Sequence, residues 1–298
     1  MGERHAPRDF EKHVSEGYSY FMAQKEPPVA NALTLELEPI VADNLARHLA
    51  TEEPWYGHDY VPFDQGENFA FLGGKDWDPS DVTLPKPVTD ACEILLITKD
   101  NLAAHHREIV EHFILDEKWG RWIGRWTAEE HLHAIALRNY LVVTREVDPT
   151  ANEDVRVEHV MKGYRADALS QIDTLVNLAF FERSNAVFCR NLEAQITEPT
   201  LKGLIGKIAA DEERHAVFFA NLVAHLAQTA RAETVAAVAA RAAVLGAVGS
   251  DIDAYADKVA TVASAGIFDE AALAAVVTDL VAAWGLSEEP ELREFTRA

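Results

Sequence analysis

The sequence predicts an all-α fold: four long helices forming a bundle core, with additional flanking helices packed around it. Three observations carry this. Apolar residues recur at helical spacing over four long stretches. Strand-like alternation is scarce, and glycine and proline are modest, at 15 and 12 of 298 residues. The connections between the four stretches run short, long, short, which gives two antiparallel hairpins joined by a crossover.

The elements follow in order. Residues 1–29 are polar, mixed in charge and end in Pro27-Pro28, as expected of a poorly ordered extension. Met22 offers an alternative start, so residues 1–21 need not belong to the native protein. Residues 30–298 read as a single helical domain, opening on a helix marked by Leu33, Leu37, Ile40, Leu45 and Leu49. Residues 51–87, rich in proline, glycine and aromatics without a sustained period, form a long irregular loop expected to wrap the body. The first bundle helix, about 88–114, puts Cys92, Leu95, Leu96, Lys99, Leu102, Ala103, His106, Val110 and Phe113 on one stripe. The second, about 117–145, repeats Trp119, Trp126, His133 and Tyr140 every seven residues. The third, about 164–195, carries Ile172, Leu175, Ala179, Glu182, Ala186, Cys189 and Leu192. The fourth, about 200–229, carries Leu204, Ile208, Asp211, Glu212, His215, Phe219, Leu222 and Leu226. Glu146 to Lys162 is the crossover, and an Ala-rich tail, 231–285, adds helices broken near Gly246–Gly249 and at Gly266.

Charge and composition narrow the partners. A net charge of −22 gives no basic footprint for nucleic acid and disfavours anionic membranes. Cys92 and Cys189 are too few for a disulfide framework and read as small core residues of a reducing compartment. No stretch is apolar enough to span a bilayer, and the N-terminus lacks the order of a signal peptide. Met1-Gly2 is followed by Ala6 where a myristoylation signal wants Ser or Thr. The expectation is a cytoplasmic protein without membrane insertion.

The chemistry lies in two Glu-x-x-His quartets, Glu130/His133 and Glu212/His215. Three residues apart on an inward face, a carboxylate and an imidazole can reach one point beside the helix. Burying them is costly unless something such as a metal ion satisfies them. One quartet is weak evidence, since chance supplies about one in such a chain. Glu130 could also close a capping box on Thr127, although the Trp119/Trp122/Trp126 spacing starts the helix earlier. Two quartets on separate long helices, with Glu182 inward on a third, match the bundle pattern that binds two metals. Such a bundle with one crossover is ferritin-like.

From Leu33 to the end of the fourth helix, and more weakly through the tail, the chain resembles the soluble acyl-[acyl-carrier-protein] desaturases. It is most similar to the actinobacterial branch of the plant stearoyl type. The likeness rests on Trp126-Thr-Ala-Glu-Glu-x-x-His133, Phe181-Glu182-Arg183 and Ala210-Asp211-Glu212-x-x-His215. The resemblance implies a homodimer with a di-iron centre. That centre uses O2 and two electrons from a ferredoxin to place a cis double bond in a carrier-bound fatty acyl chain. It also implies that Glu130 and Glu212 bridge the metals, that His133 closes one site, and that Glu182 and His215 close the other. Trp55 and Asp211 match the residues of the family's electron route, and a carboxylate beside a ligand histidine is expected to fix its tautomer.

Two positions depart from the family. Lys99 stands where the first helix should offer a glutamate, and an ammonium cannot ligate a cation. Three carboxylates and one ammonium leave a site charge of −2, which one divalent ion neutralises. The expectation is therefore one iron or manganese ion among Glu130, Glu182, Glu212 and His215, with Lys99 taking the place of a metal in the Glu130/His133 half. The alternative turns Lys99 to solvent and rotates Asp100 inward; Glu93 is too far along the helix to substitute. Asn185 stands where the family carries a proton-relaying threonine. Two functions follow: an active desaturase, or a single-metal paralogue that binds acyl chain or carrier protein without oxidising it. Lys118, Arg121 and Arg125 are candidates for a basic patch facing an acidic carrier protein, against the simpler reading of a solvated face.

Overall fold

The computed structural model describes residues 31–113, 117–162 and 169–296, so the expected N-terminal extension lies outside the described residues. Among these residues there is no strand, and no helix is long and apolar enough to cross a membrane. The fold is a ferritin-like helical one. Helix α1 (Ala32–Thr51) starts where the Asn31 side chain accepts the Thr34 N–H, which caps the first turn. It buries Leu37, Val41, Leu45 and His48 against two of the bundle helices.

The bundle consists of α2 (Lys86–Asp100), α4 (Glu117–Val143), α6 (Gln171–Gln195) and α7 (Pro199–Thr229). The first expected helix is two helices. At Asn101 the backbone leaves the helical region (ψ 17°), and α3 (Leu102–Val110) resumes in a new phase. Ala103 is consequently exposed, not inward, and Glu108 and Ile109 take the buried face. His106, expected in the core, is half-buried and meets the Thr127 hydroxyl at 2.9 Å. The crossover is itself helical: α5 (Pro149–Met161) is capped by Asp148 and opens on a proline, whose missing N–H costs nothing at a helix start. Helix α6 begins at a Ser170/Asp173 capping box, later than the sequence pattern placed it.

The long loop 52–85 is held by the end of α4. The Arg145 guanidinium donates to the carbonyls of Lys75 (2.9 Å), Asp76 (3.2 Å) and Asn68 (3.3 Å). The Glu146 carboxylate accepts the N–H groups of Thr83 and Leu84, both at 3.0 Å. This anchoring places Trp55 over the bundle. In the tail, α8 (Arg231–Ala242) packs on α6 and α7, α9 (Ala256–Ser264) on α2, and α10 (Glu270–Ala283) on α6. The expected breaks fall at Gly249 and Gly266, whose φ values of 84° and 70° favour residues without a Cβ.

Along α4, α6 and α7 the core has the same layering. Trp119, Trp122, Trp126, Phe180 and Phe219 belong to one apolar cluster, and Leu137, Leu141, Phe188, Leu192 and Leu204 to a second. Fully burying such side chains contributes roughly 1.5–3 kcal/mol each. Between the two lengths of each helix sits a polar layer: Glu130, His133, Glu182, Glu212, His215 and, from α2, Lys99, none more than 2% exposed. Cys92 and Cys189 are buried free thiols of the second cluster.

Candidate metal centre

The polar layer is built by one local pattern used twice. On α4 and on α7 an acidic residue precedes the quartet: Glu129 before Glu130/His133, Asp211 before Glu212/His215. One residue around the helix, that extra acid reaches across to the histidine of the other helix. His133 Nε2 donates to Asp211 Oδ2 at 2.9 Å, and His215 Nε2 donates to Glu129 Oε2 at 2.8 Å. Each cross-brace has its own outer support. Asp211 also accepts the Trp55 indole N–H at 2.9 Å and pairs with Arg214. Glu129 accepts from His48 Nε2 at 3.0 Å and from Arg125 at 2.6 Å. Two imidazoles are thereby fixed with Nε2–H pointing out and Nδ1 pointing in.

What Nδ1 faces decides the chemistry. His133 Nδ1 lies 3.0 Å from Glu212 Oε1, while His215 Nδ1 lies 3.2 Å from Glu130 Oε1 and 3.7 Å from Glu182 Oε2. An imidazole lone pair and a carboxylate oxygen are both acceptors, so they approach this closely only with a proton or a cation between them. Burial alone would lower the pKa of both histidines, but the hydrogen bonds to Asp211 and Glu129, followed by the carboxylates facing Nδ1, override it and raise them well above the ordinary value. Burial, followed by the charge of Glu130, pushes the Glu212 carboxyl up to about 7.

Lys99 reaches this layer from α2. Its ammonium donates to Glu130 Oε2 at 2.8 Å and lies 2.7 Å from Glu212 Oε1, with the side chain wholly inaccessible. It also sits 5.7 Å from the Phe181 ring centre, within cation–π range. Burial would favour the neutral amine, but Glu130, Glu212 and Glu182 outweigh it and raise the pKa. Asp100 does not rotate inward; it pairs with Arg138 on the other side of the helix. Glu93 is likewise elsewhere, 2.7 Å from Lys258.

The donor set fits a divalent ion on the His215 side. Ligand atoms of Glu130, Glu182, Glu212 and His215 all lie within 4.8 Å of one another, and all four residues are buried. Glu130 Oε1, Glu182 Oε2, Glu212 Oε2 and His215 Nδ1 have no hydrogen-bond partner, as expected of atoms arranged around a cation. The other oxygen of Glu182 is held by the Trp126 indole N–H at 2.8 Å. A second grouping, His48, Glu129 and His215, is already satisfied as a hydrogen-bonded relay, because both Glu129 oxygens accept. That relay escaped the sequence reading. Its signals were present: His48 continues the Leu37/Val41/Leu45 stripe, and Glu129 precedes its quartet as Asp211 precedes the other.

Arg125 is half-exposed and pairs with Glu129 and with Glu52 (2.9 Å), whereas Arg121 is exposed. Asn185 is fully buried, neither of its amide atoms has a hydrogen-bond partner, and the residue lines a cavity together with Phe181 and Ser184. The Trp55 ring lies parallel to that of His133 (7°), with centres 6.1 Å apart.

Comparison with known proteins agrees with this architecture. The family model described as fatty acid desaturase matches residues 30–298. The chain is 68% identical over 274 residues to the Mycobacterium tuberculosis protein designated acyl-[acyl-carrier-protein] desaturase DesA2, covering 92% of this chain and 99% of that one. A rice chloroplastic acyl-[acyl-carrier-protein] desaturase 3 (Oryza sativa subsp. indica) is 26% identical over 286 residues, 87% of this chain and 69% of the relative. The X-ray structure of DesA2 from M. tuberculosis H37Rv superposes with a TM-score of 0.79 at 60% identity, covering 90% of this chain and all of that one. With a family model spanning the helical body and a relative matched along nearly its whole length, this chain belongs to the fatty acid desaturase family, among the acyl-[acyl-carrier-protein] desaturases.

Proposed function

We propose that this chain works on fatty acyl chains presented by an acyl carrier protein, through a centre that holds one divalent ion, iron or manganese. Glu130, Glu182, Glu212 and His215 would hold that ion. In the family the metal activates O2, which supplies the oxidising power needed to remove two hydrogens from an unactivated chain and leave a cis double bond. The observation that carries the reading is Lys99, whose ammonium lies within 2.8 Å of carboxylate oxygens on both Glu130 and Glu212. Lys99 stands in for the positive charge of a second ion, and the count closes: three carboxylates and one ammonium leave −2 for one divalent ion.

The surrounding residues have definable tasks. Asp211 and Glu129 fix which nitrogen of each histidine points inward. Trp126 orients Glu182 by occupying its outer oxygen. The Trp55–Asp211–His133 series offers a route from the surface for an electron donor of the ferredoxin type. That route ends at the half of the site where Lys99 sits. This favours a second reading, in which the protein binds the acyl chain or its carrier without desaturating it, and Asn185 in place of a proton-relaying hydroxyl points the same way. A homodimer is proposed from the family resemblance.

Metal content and O2 consumption test both levels. Purified protein should bind one ion per chain. Reduced ferredoxin and acyl-loaded carrier protein should then give desaturated product on the first reading, and carrier binding without O2 uptake on the second. Two ions per chain would overturn the single-ion centre.

A further inference from the structure

His48 closes the buried stripe of α1, after Leu37, Val41 and Leu45, and is itself 4% exposed. A leucine there would extend the stripe and leave no polar atom to satisfy, whereas a buried imidazole needs a hydrogen bond. Its one such bond goes to Glu129: Nε2 meets Oε1 at 3.0 Å, and Nδ1 has no hydrogen-bond partner. Packing alone does not call for this residue, so its task lies at Glu129.

Through its other oxygen Glu129 holds His215, at 2.8 Å. The two imidazoles hang from one carboxylate with their rings nearly parallel (9°) and their centres 5.8 Å apart. Trp122 stands edge-on to both, at 5.2 Å from His48 and 6.1 Å from His215, and is stacked on Phe218. The terminal torsion of a glutamate is soft, so donors on one oxygen decide where the other points. Arg125 also binds Oε1, but its side chain is 36% exposed; His48 is the donor inside the core.

The other half of the centre has the same plan with different parts. Trp55 does for Asp211 and His133 what His48 does for Glu129 and His215. Lys99 makes the halves unequal: its ammonium lies against Glu130 and Glu212, and His133 is not in the group of ligand atoms that includes His215. On the single-ion reading, on which this inference rests, the ion has one imidazole ligand, and only the His48 arm reaches it.

We propose that His48 is a positioning residue of the metal centre: acting through Glu129, it fixes the His215 ring and so sets how tightly the ion is held. Trp55 has no such hold on the ion.

Fe(II) and Mn(II) affinities of the full chain, measured by competition with a chelator, test this. His48→Leu should weaken binding about tenfold, the low end for an outer partner of a ligand histidine, with the metal-free protein unfolding no lower than the native one. His48→Gln, which keeps an N–H near the place of Nε2, should stay within about threefold of native, as should Trp55→Phe. His48 also lines a surface groove of about 300 Å³ between α1 and α7, beside Thr51 and Val217. The space freed in His48→Gly is therefore open to added imidazole, which should restore that variant's affinity and Co(II) absorption spectrum and leave the native protein unchanged. The losses in His48→Leu and Glu129→Gln should not add in the double variant, because the first acts through the second.

Folded His48→Leu binding within about threefold of native would overturn the proposal. So would a loss in His48→Gly that imidazole does not repair, or losses that add in full in the double variant. Each of these outcomes is compatible with one ion per chain and would leave the single-ion reading standing. Two ions per native chain would instead overturn that reading, and Trp55→Phe weakening binding as much as His48→Leu would overturn the asymmetry between the arms.

Discussion

Replacing Lys99 by glutamate inverts the charge at the one position where the chain departs most sharply from its family. In the native protein the ammonium contacts two buried carboxylates, at 2.8 and 2.7 Å, inside a layer that solvent does not reach. Removing one partner of a buried pair costs about 3–5 kcal/mol because it leaves uncompensated charge. Lys99→Glu goes further and adds a fourth carboxylate to Glu130, Glu182 and Glu212. Without metal the variant should therefore lose at least about 4 kcal/mol, a fall in Tm on the order of 10 °C for a chain of this size. With metal the sign reverses. Four carboxylates carry −4, which two divalent ions neutralise, and each ion at a hundredfold excess over its Kd contributes about 2.7 kcal/mol. The variant should bind two ions per chain and recover most of its stability on loading, whereas Lys99→Met, which keeps the volume and drops the charge, should bind only one. Elemental analysis after dialysis, paired with thermal unfolding with and without Fe(II) or Mn(II), reads both quantities. A Lys99→Glu protein that still binds one ion, or that unfolds at the native temperature without metal, would refute the charge argument.

Three further outcomes follow. Glu129→Gln should weaken metal binding about 10- to 100-fold by loosening His215, while Asp211→Asn, which acts on His133, should change it much less; competition with a chelator measures both. Glu108 is buried with its carboxyl on the Asn177 amide, and burial pushes its pKa up to about 7 from 4.5. The folded state then holds a proton that the unfolded chain has lost, so stability falls as pH rises from about 4.5 to 7. Glu108→Gln should remove that loss, stabilising the protein by up to roughly 3 kcal/mol at pH 8 and by nothing at pH 4, in urea unfolding at the two pH values. Cys92 and Cys189 are fully buried with thiol pKa values raised by that burial. Neither should react with a thiol reagent in the native protein, and both should react once it is unfolded.

How much of this was legible in the sequence depends on whether the signal was local. The quartets, Glu182 and the inward course of Lys99 could be read because each sits on an unbroken helical period, and that period says which way a side chain faces. Asn101 breaks the period without a proline or glycine to announce it, so the stripe places Ala103 inward where the structure exposes it. The helix at Pro149–Met161 was hidden for the opposite reason: its Asp148-Pro149 start was visible, but the segment is mostly polar and was read only as a connection. His48 and Glu129 were missed because their role exists only across elements. Nothing in α1 points to α4 until the fold brings His48 Nε2 within 3.0 Å of Glu129. The cavity beside Asn185 is of the same kind, since its lining residues Thr98, His159, Ser184 and Arg241 come from four separate helices.

The centre itself can be tested most directly by anomalous diffraction at the absorption edge of the bound metal, in crystals of the protein purified with iron or manganese. One peak per chain is expected, beside His215 and among Glu130, Glu182 and Glu212, with the Lys99 ammonium still against Glu130 and Glu212. Two fully occupied peaks about 4 Å apart, with Lys99 displaced from the layer, would contradict it.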